Sequence, residues 1–260
     1  MPQDASGWQL RRTAVACLLA AFGSTAAGAY LLPSGAILRR LGNARDESPA
    51  ASLRVDGSGA FFGEAAAQAS SALRASLDRP EFQADATLWL KAPARCRLEV
   101  FTPDGARTAV AQNAGKRRVE GGATAAMQTA LEHLCALLAT RSGAEGGSRA
   151  AVERHLAALK VSPRAVSLGR MGREVAYVLG DPAPGQPQFW VYKDSFLPAR
   201  LTFTDAQNVA WDLRLSDYGS PVTGTAAPRV FELHRAGALA LRFTSLRADV
   251  RPTAAPDRLF

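Results

Sequence analysis

The sequence predicts a mainly β, α+β fold: a curled antiparallel sheet with helices laid against its concave face. Three observations carry this prediction. From Pro80 onward, short segments alternate apolar and polar residues with a period of two, the pattern of strands buried on one side only. Two mid-chain segments instead repeat leucines at helical spacing. Roughly nine or ten such strands are too many to stay flat, so the sheet should curl toward a barrel and offer the helices an apolar hollow.

Residues 1–29 read as a secretory signal peptide: Arg11 and Arg12, an apolar stretch from Thr13 to Phe22, then small residues with Ala27 and Ala29 at the cleavage positions. The stretch is shorter than the roughly 20 residues that span a bilayer. Cys17 lies inside it after Ala14, Val15 and Ala16, which is not a lipidation context. The expectation is a single exported domain over residues 30–260, in the periplasm once the signal is removed. A short helix follows Pro33, with Ser34 as N-cap, Ile37, Leu38 and Leu41 on one side, and an end near Gly42-Asn43 or at latest before Pro49. Residues 52–62 form a strand with Gly57 and Gly59 at bulge or bend positions. The Ala/Ser-rich residues 64–78 allow either a helix or a long hairpin.

Strands follow at residues 85–91, after Pro93 at 95–100, and as a weaker hairpin over 106–119. Helices span residues 124–139, with Met127, Leu131, Leu134 and Leu138 as the stripe, and 149–160, with Val152, Leu156 and Leu159. The chain returns to strands at 174–179, 188–193, 199–204, 209–215, 229–234 and 239–243, the last extending through 245–250. Leu201 and Phe203, then Trp211, Leu213 and Leu215, then Leu239, Leu241 and Phe243 face inward. Ala240, Arg242 and Thr244 alternate outward.

Composition excludes several classes. The chain has 260 residues, 47% of them apolar, which rules out wholesale disorder and a disulfide-dense mini-protein. Its net charge of +8 raises nucleic acid as a partner, but the arginines are scattered and fall on outward strand positions, whereas the aromatics point inward. Nucleic acid is therefore not expected; a solvated basic coat that meets anionic membrane surfaces is. Removing residues 1–29 takes away Arg11, Arg12 and Asp4, leaving 29 cationic against 22 anionic residues.

No catalytic pattern emerges. His133 is placed on the polar side of its helix, His155 borders a stripe and His234 alternates outward with Glu232, so the three are read as surface or rim histidines. No metal-ligand spacing, nucleophile elbow or phosphate loop is present, so neither a cofactor nor a metal is expected and the chain is read as a non-enzyme. With Cys17 removed, Cys96 and Cys135 remain, as one disulfide or as two buried small hydrophobes.

Two segments carry a family resemblance. Leu88-Trp89-Leu90-Lys91-Ala92-Pro93 with the strand through Val100, and Phe189-Trp190-Val191-Tyr192-Lys193 with Leu197-Pro198 and the next strand, resemble the outer-membrane lipoprotein carrier and receptor superfamily (LolA/LolB-like). The order Tyr218, Gly224, Pro228-Arg229-Val230 also fits. The resemblance implies a half-open barrel whose helical lid covers an apolar cavity for lipid or lipoprotein acyl chains, a role in outer-membrane lipoprotein sorting and a monomeric carrier. Its walls would be Leu88, Leu90, Leu98, Val100, Leu201, Phe203, Trp211, Leu213, Leu241 and Phe243, with Met127, Leu131, Leu134 and Leu138 on the lid. The carrier's arginine before the hairpin proline is here Ala92, and Arg95 and Arg97 alternate outward. With Cys96 on the inward face and Cys135 on the lid helix, a bridge between them would tether lid to sheet. The competing expectation is an accessory, non-enzymatic protein whose side chains fill the interior and whose surface binds a protein partner.

Overall fold

The computed structural model describes residues 31–47, 51–139 and 147–260. The expected signal segment, Cys17 and most of the glycine-rich link after residue 139 lie outside them. Among the described residues twelve strands, rather than nine or ten, form one open antiparallel sheet in the order β5-β4-β3-β2-β1-β12-β11-β10-β9-β8-β7-β6. They are β1 (Ser52–Phe62), β2 (Glu81–Lys91), β3 (Arg95–Phe101), β4 (Arg107–Asn113), β5 (Lys116–Glu120), β6 (Val166–Met171), β7 (Glu174–Leu179), β8 (Gln188–Tyr192), β9 (Pro198–Thr204), β10 (Ala210–Ser216), β11 (Val230–Arg235) and β12 (Ala238–Asp249). Two meanders of consecutive hairpins, β1–β5 and β6–β12, thus meet along the single seam β1–β12.

The helices occupy the concave side. They are α1 (Ser34–Asp46), α2 (Glu64–Ala72), α3 (Ala125–Leu134) and α4 (Gly147–Ala158); α3 continues into a wider π-helical turn, Cys135–Ala139. Thr124 caps α3, its Oγ1 accepting from Met127 N at 3.1 Å. The stripe Met127, Leu131 and Leu134 is fully buried against inward strand residues such as Leu98, Leu201, Leu213 and Phe243. The period-two and period-3.6 patterns therefore meet in one continuous core.

Several sequence expectations need correction. α1 runs past Gly42-Asn43 to Asp46, within the limit set by Pro49, but its N-cap is Pro33, with no side-chain cap from Ser34. Gly42 is there for packing: a Cβ would lie 3.1 Å from Arg149 Cβ and 3.3 Å from its backbone nitrogen, so the glycine marks where α1 crosses α4. Strand β6 gives no clear period-two signal, because Ser167, Gly169 and Arg170 dilute its apolar pattern. Ala240 does not alternate outward. A bulge between Leu233 and His234 places it in the core beside Leu241.

The outer face is not uniformly solvated either. The chain beyond β12 folds back over β1–β4, where Lys91 Nζ donates to Ala255 O at 2.9 Å and pairs with Asp257 at 2.8 Å. Arg97, expected as part of the solvated coat, is buried beneath this strap between Glu99 (3.1 Å) and Glu120 (2.7 Å). An outward position on a strand says nothing about what a terminal segment later covers.

At the seam, register shifts between Asp56 and Gly57, and Leu246 is left out of the ladder and exposed. A Cβ on Gly57 would sit 2.2 Å from Thr244 O, a backbone atom that cannot swing away. Gly57→Ala is accordingly expected to cost about 1–3 kcal/mol, checked by urea denaturation. An unchanged midpoint would contradict the close approach at this seam.

Candidate functional site

The residues expected to wall a cavity do converge, but on one another. Leu88, Leu90, Leu98, Val100, Leu201, Phe203, Trp211, Leu213, Leu241 and Phe243 all join the lid stripe in a single buried core. The space beside Leu138, Leu197 and Tyr218 measures about 10 Å³, the size of one water.

A larger apolar hollow lies at one end of this core, and of the expected wall it uses only Trp211. About 300 Å³ is enclosed by Phe62, Gly63, Glu64, Ala65 and Gln68, by Ala125 and Ala126 at the start of α3, by Val209 and Trp211, and by Arg235, Ala236, Ala238, Leu239 and Ala240. Local sequence creates the space. Gly63, at φ +54°, turns the chain abruptly from β1 into α2. α2 then buries only Ala65, Ala66, Ala69 and Ser70, and the hairpin opposite contributes further alanines. Larger side chains at these positions would close the hollow. Alternation and helical spacing report bulky residues that pack, so this site left only a faint trace in the sequence: the Ala-rich segment after Gly63.

The rim is charged. Arg235 pairs with Glu64 across the mouth, and its guanidinium lies 5.8 Å from the Trp211 ring. Trp211 is fixed by its Nε1, which donates to Asp205 Oδ2 at 2.8 Å, while Asp205 also accepts from the backbone of Gln207 and Val209. Another hollow of about 370 Å³, beside the β4–β5 turn, is lined by Lys116, Arg117, Arg118 and Phe260 and is too cationic to suit an alkyl chain.

Lid and sheet are joined covalently. Cys96 of β3 and Cys135, the first residue of the π-helical turn, form a disulfide with Cα atoms 5.7 Å apart. The other tie was not foreseen. His133, expected on a polar face, is buried, with Nδ1 3.1 Å from His155 Nε2 and its ring 4.2 Å from that of Phe203. Burial pushes both imidazoles toward the neutral form, His155 to about 4; for His133 the neighbouring His155 and Arg117 add to the effect. The helical period places His133 on the polar side of α3, but His155 of α4 packs against it. His234 does stay near the sheet's outer face, 3.6 Å from Glu232.

Among the described residues no group of three or more His, Cys, Asp or Glu is placed to hold a metal ion, and no helix is long and apolar enough to cross a membrane.

Solved structures are similar to this chain in fold. A LolA superfamily protein from Nitrosomonas europaea is 11% identical, with 88% of this chain and 98% of that one covered at a TM-score of 0.45. A domain from Vibrio parahaemolyticus described as outer membrane lipoprotein-sorting is 9% identical, with 85% and 93% covered and a TM-score of 0.40. The MucA/MucB complex of Pseudomonas aeruginosa matches at 13% identity and a TM-score of 0.32, with 88% of this chain and 61% of that one covered. The likeness is one of fold. No family model and no curated protein sequence matches the chain.

Proposed function

We propose that the protein is an exported, monomeric lipid-binding protein of the periplasm, made with a cleaved signal over residues 1–29, that shields an acyl chain of a lipid or lipoprotein from water. One observation carries this reading: the apolar hollow of about 300 Å³ between α2, α3 and the β11–β12 hairpin. Each methylene moved from water into such a site gains about 0.8 kcal/mol. The volume is at the lower end of ligand pockets, roughly 300–1,000 Å³, and suits part of one chain rather than two chains side by side. The inward residues beneath the lid, from Leu88 to Phe243, become additional wall when α3 lifts. The disulfide holds the far end of that helix, so its start at Ala125 and Ala126, where the hollow lies, is the end free to move.

Native mass spectrometry of protein taken from its own compartment, followed by lipid extraction, tests the proposal; absence of lipid or lipoprotein would count against it. Ala65→Leu with Ala126→Leu is expected to weaken binding of a fluorescent polyenoic fatty acid more than tenfold, because several methylenes lose their place. Circular dichroism should be unchanged. Fluorescence titration of Trp211, in the wall of the hollow, follows the same event.

A second reading has its own support. Leu131, Leu201 and Leu213 are completely buried with the lid closed, as expected of an accessory protein that binds a protein partner and carries no lipid. A lipid-free preparation that no fatty acid can enter would favour it. Sorting of outer-membrane lipoproteins belongs to the first reading, as does approach to anionic membranes through the outer arginines; salt-insensitive or absent binding to anionic vesicles would remove the membrane contact.

A further inference from the structure

We propose that the free edge of β6 is the docking site for an acidic, extended peptide segment of a partner protein, which adds there as a further strand. The sheet is open, and β6 is its last strand on one side. Gly180 N donates to Ala165 O at 3.1 Å, one residue before the β6–β7 register begins at Val166 opposite Leu179. In an antiparallel ladder hydrogen-bonded pairs alternate with pairs whose amides point away. The N–H and C=O groups of Val166, Leu168 and Arg170 therefore face away from β7, into the open edge. Among the described residues no other segment bonds to them.

Side chains also pack closely behind the edge. Gly169 lies against the ring of Trp190, so closely that a Cβ would come within 2.6 Å of it. Arg200 stacks on that ring, 5.1 Å from its centroid, and pairs with Asp212 at 2.7 Å. On the inward side Leu168 stands 39% exposed beside buried Tyr177, an apolar contact waiting for the residue opposite it on an added strand.

Charge selects the occupant. Lys160, Arg164, Arg170 and Arg173 lie on β6 or on the segments that flank it, and none of them reaches a carboxylate within 4 Å among the described residues. The carboxylates nearby in sequence are Glu174 and Asp181, so four cations face two anions. Asp181 is engaged with the backbone of Ala183 at 2.9 Å. The other edge of the sheet, β5, differs: Arg118 pairs with Glu120 at 2.8 Å and Arg117 with Glu132. A second copy would bring β6 cations against β6 cations, which opposes self-pairing. An acidic strand satisfies both the free amides and the unpaired cations.

The test is calorimetric titration with an eight-residue peptide alternating valine and glutamate, against its valine–lysine counterpart. The acidic peptide should bind at least tenfold more tightly and lose affinity as salt rises. Leu168→Pro removes one free N–H and suits an edge strand; it should weaken binding more than tenfold without changing the melting temperature. If that variant unfolds, Arg170→Glu with Arg173→Glu serves instead and should abolish preference for the acidic peptide. Equal binding of both peptides, or indifference to these substitutions, overturns the proposal. So would charge-dependent binding to phosphatidylglycerol vesicles without peptide binding, which would mark a membrane surface. Concentration-dependent dimerisation lost in Leu168→Pro would likewise overturn it, in favour of a second copy.

Discussion

Lowering the pH from 7 to 4 should remove stability on the order of 3 kcal/mol through His155 alone. Its imidazole is held neutral by burial, with a pKa pushed down to about 4 from an unfolded value of 6.5. The sign follows from proton counting. Between these values the unfolded chain binds a proton that the folded chain refuses, so stability is complete above about pH 6.5 and drains away as pH falls through 4. His133 acts in the same direction, displaced by burial, by His155 and by Arg117. Below this window the carboxylates take over. Burial pushes the Asp212 carboxyl up, but its bonds to Arg200 and Arg214 hold it below its ordinary range, so its share is lost at still lower pH. Urea denaturation at half-unit pH steps measures the slope. His133→Leu with His155→Leu should flatten it between pH 6.5 and 4, and an undiminished slope in that variant would show that the pair is not responsible.

Removing the disulfide with Cys96→Ala and Cys135→Ala should cost about 2–4 kcal/mol, since the bond closes a long loop. The two cysteines are 39 residues apart and both are completely enclosed. The same variant tests the lid as a hinge. If Cys135 is the fixed end of α3, freeing it should quicken uptake of the polyenoic fatty acid as stability falls. Loss of stability with unchanged uptake would mean that α3 moves as readily with its far end pinned, or does not move at all. Denaturation midpoints and stopped-flow fluorescence separate these outcomes.

How far the molecule could be read from its residues depends on what each pattern reports. Strands such as residues 210–216 and 95–101, and the stripe Met127, Leu131, Leu134, were legible because large apolar side chains at a fixed period must share a face. Gly57 was legible as an irregular position because it interrupts such a strand. The hollow was not, because it is built by side chains that are missing: Ala65, Ala126 and Ala240 look like filler until their neighbours are known. His133 and Arg97 were misread for a shared reason. Each sits on the polar side of its own element, and each is buried by a distant segment, α4 in one case and the C-terminal strap in the other. Periodicity describes an element's first partner, not its second.

The seam between β1 and β12 also bears on how the chain acquires its structure. Every other strand pairing joins consecutive strands, so each meander can form soon after its residues are made. Phe61 meets Leu241, 180 positions further along the chain, only after the residues between them have been assembled, and contacts of that separation form slowly. The hollow straddles this seam, with Phe62 on one side and Ala238 and Leu239 on the other. A half-made chain can therefore hold a folded meander but not the hollow. That space arrives last, with the closing of the first strand on the twelfth.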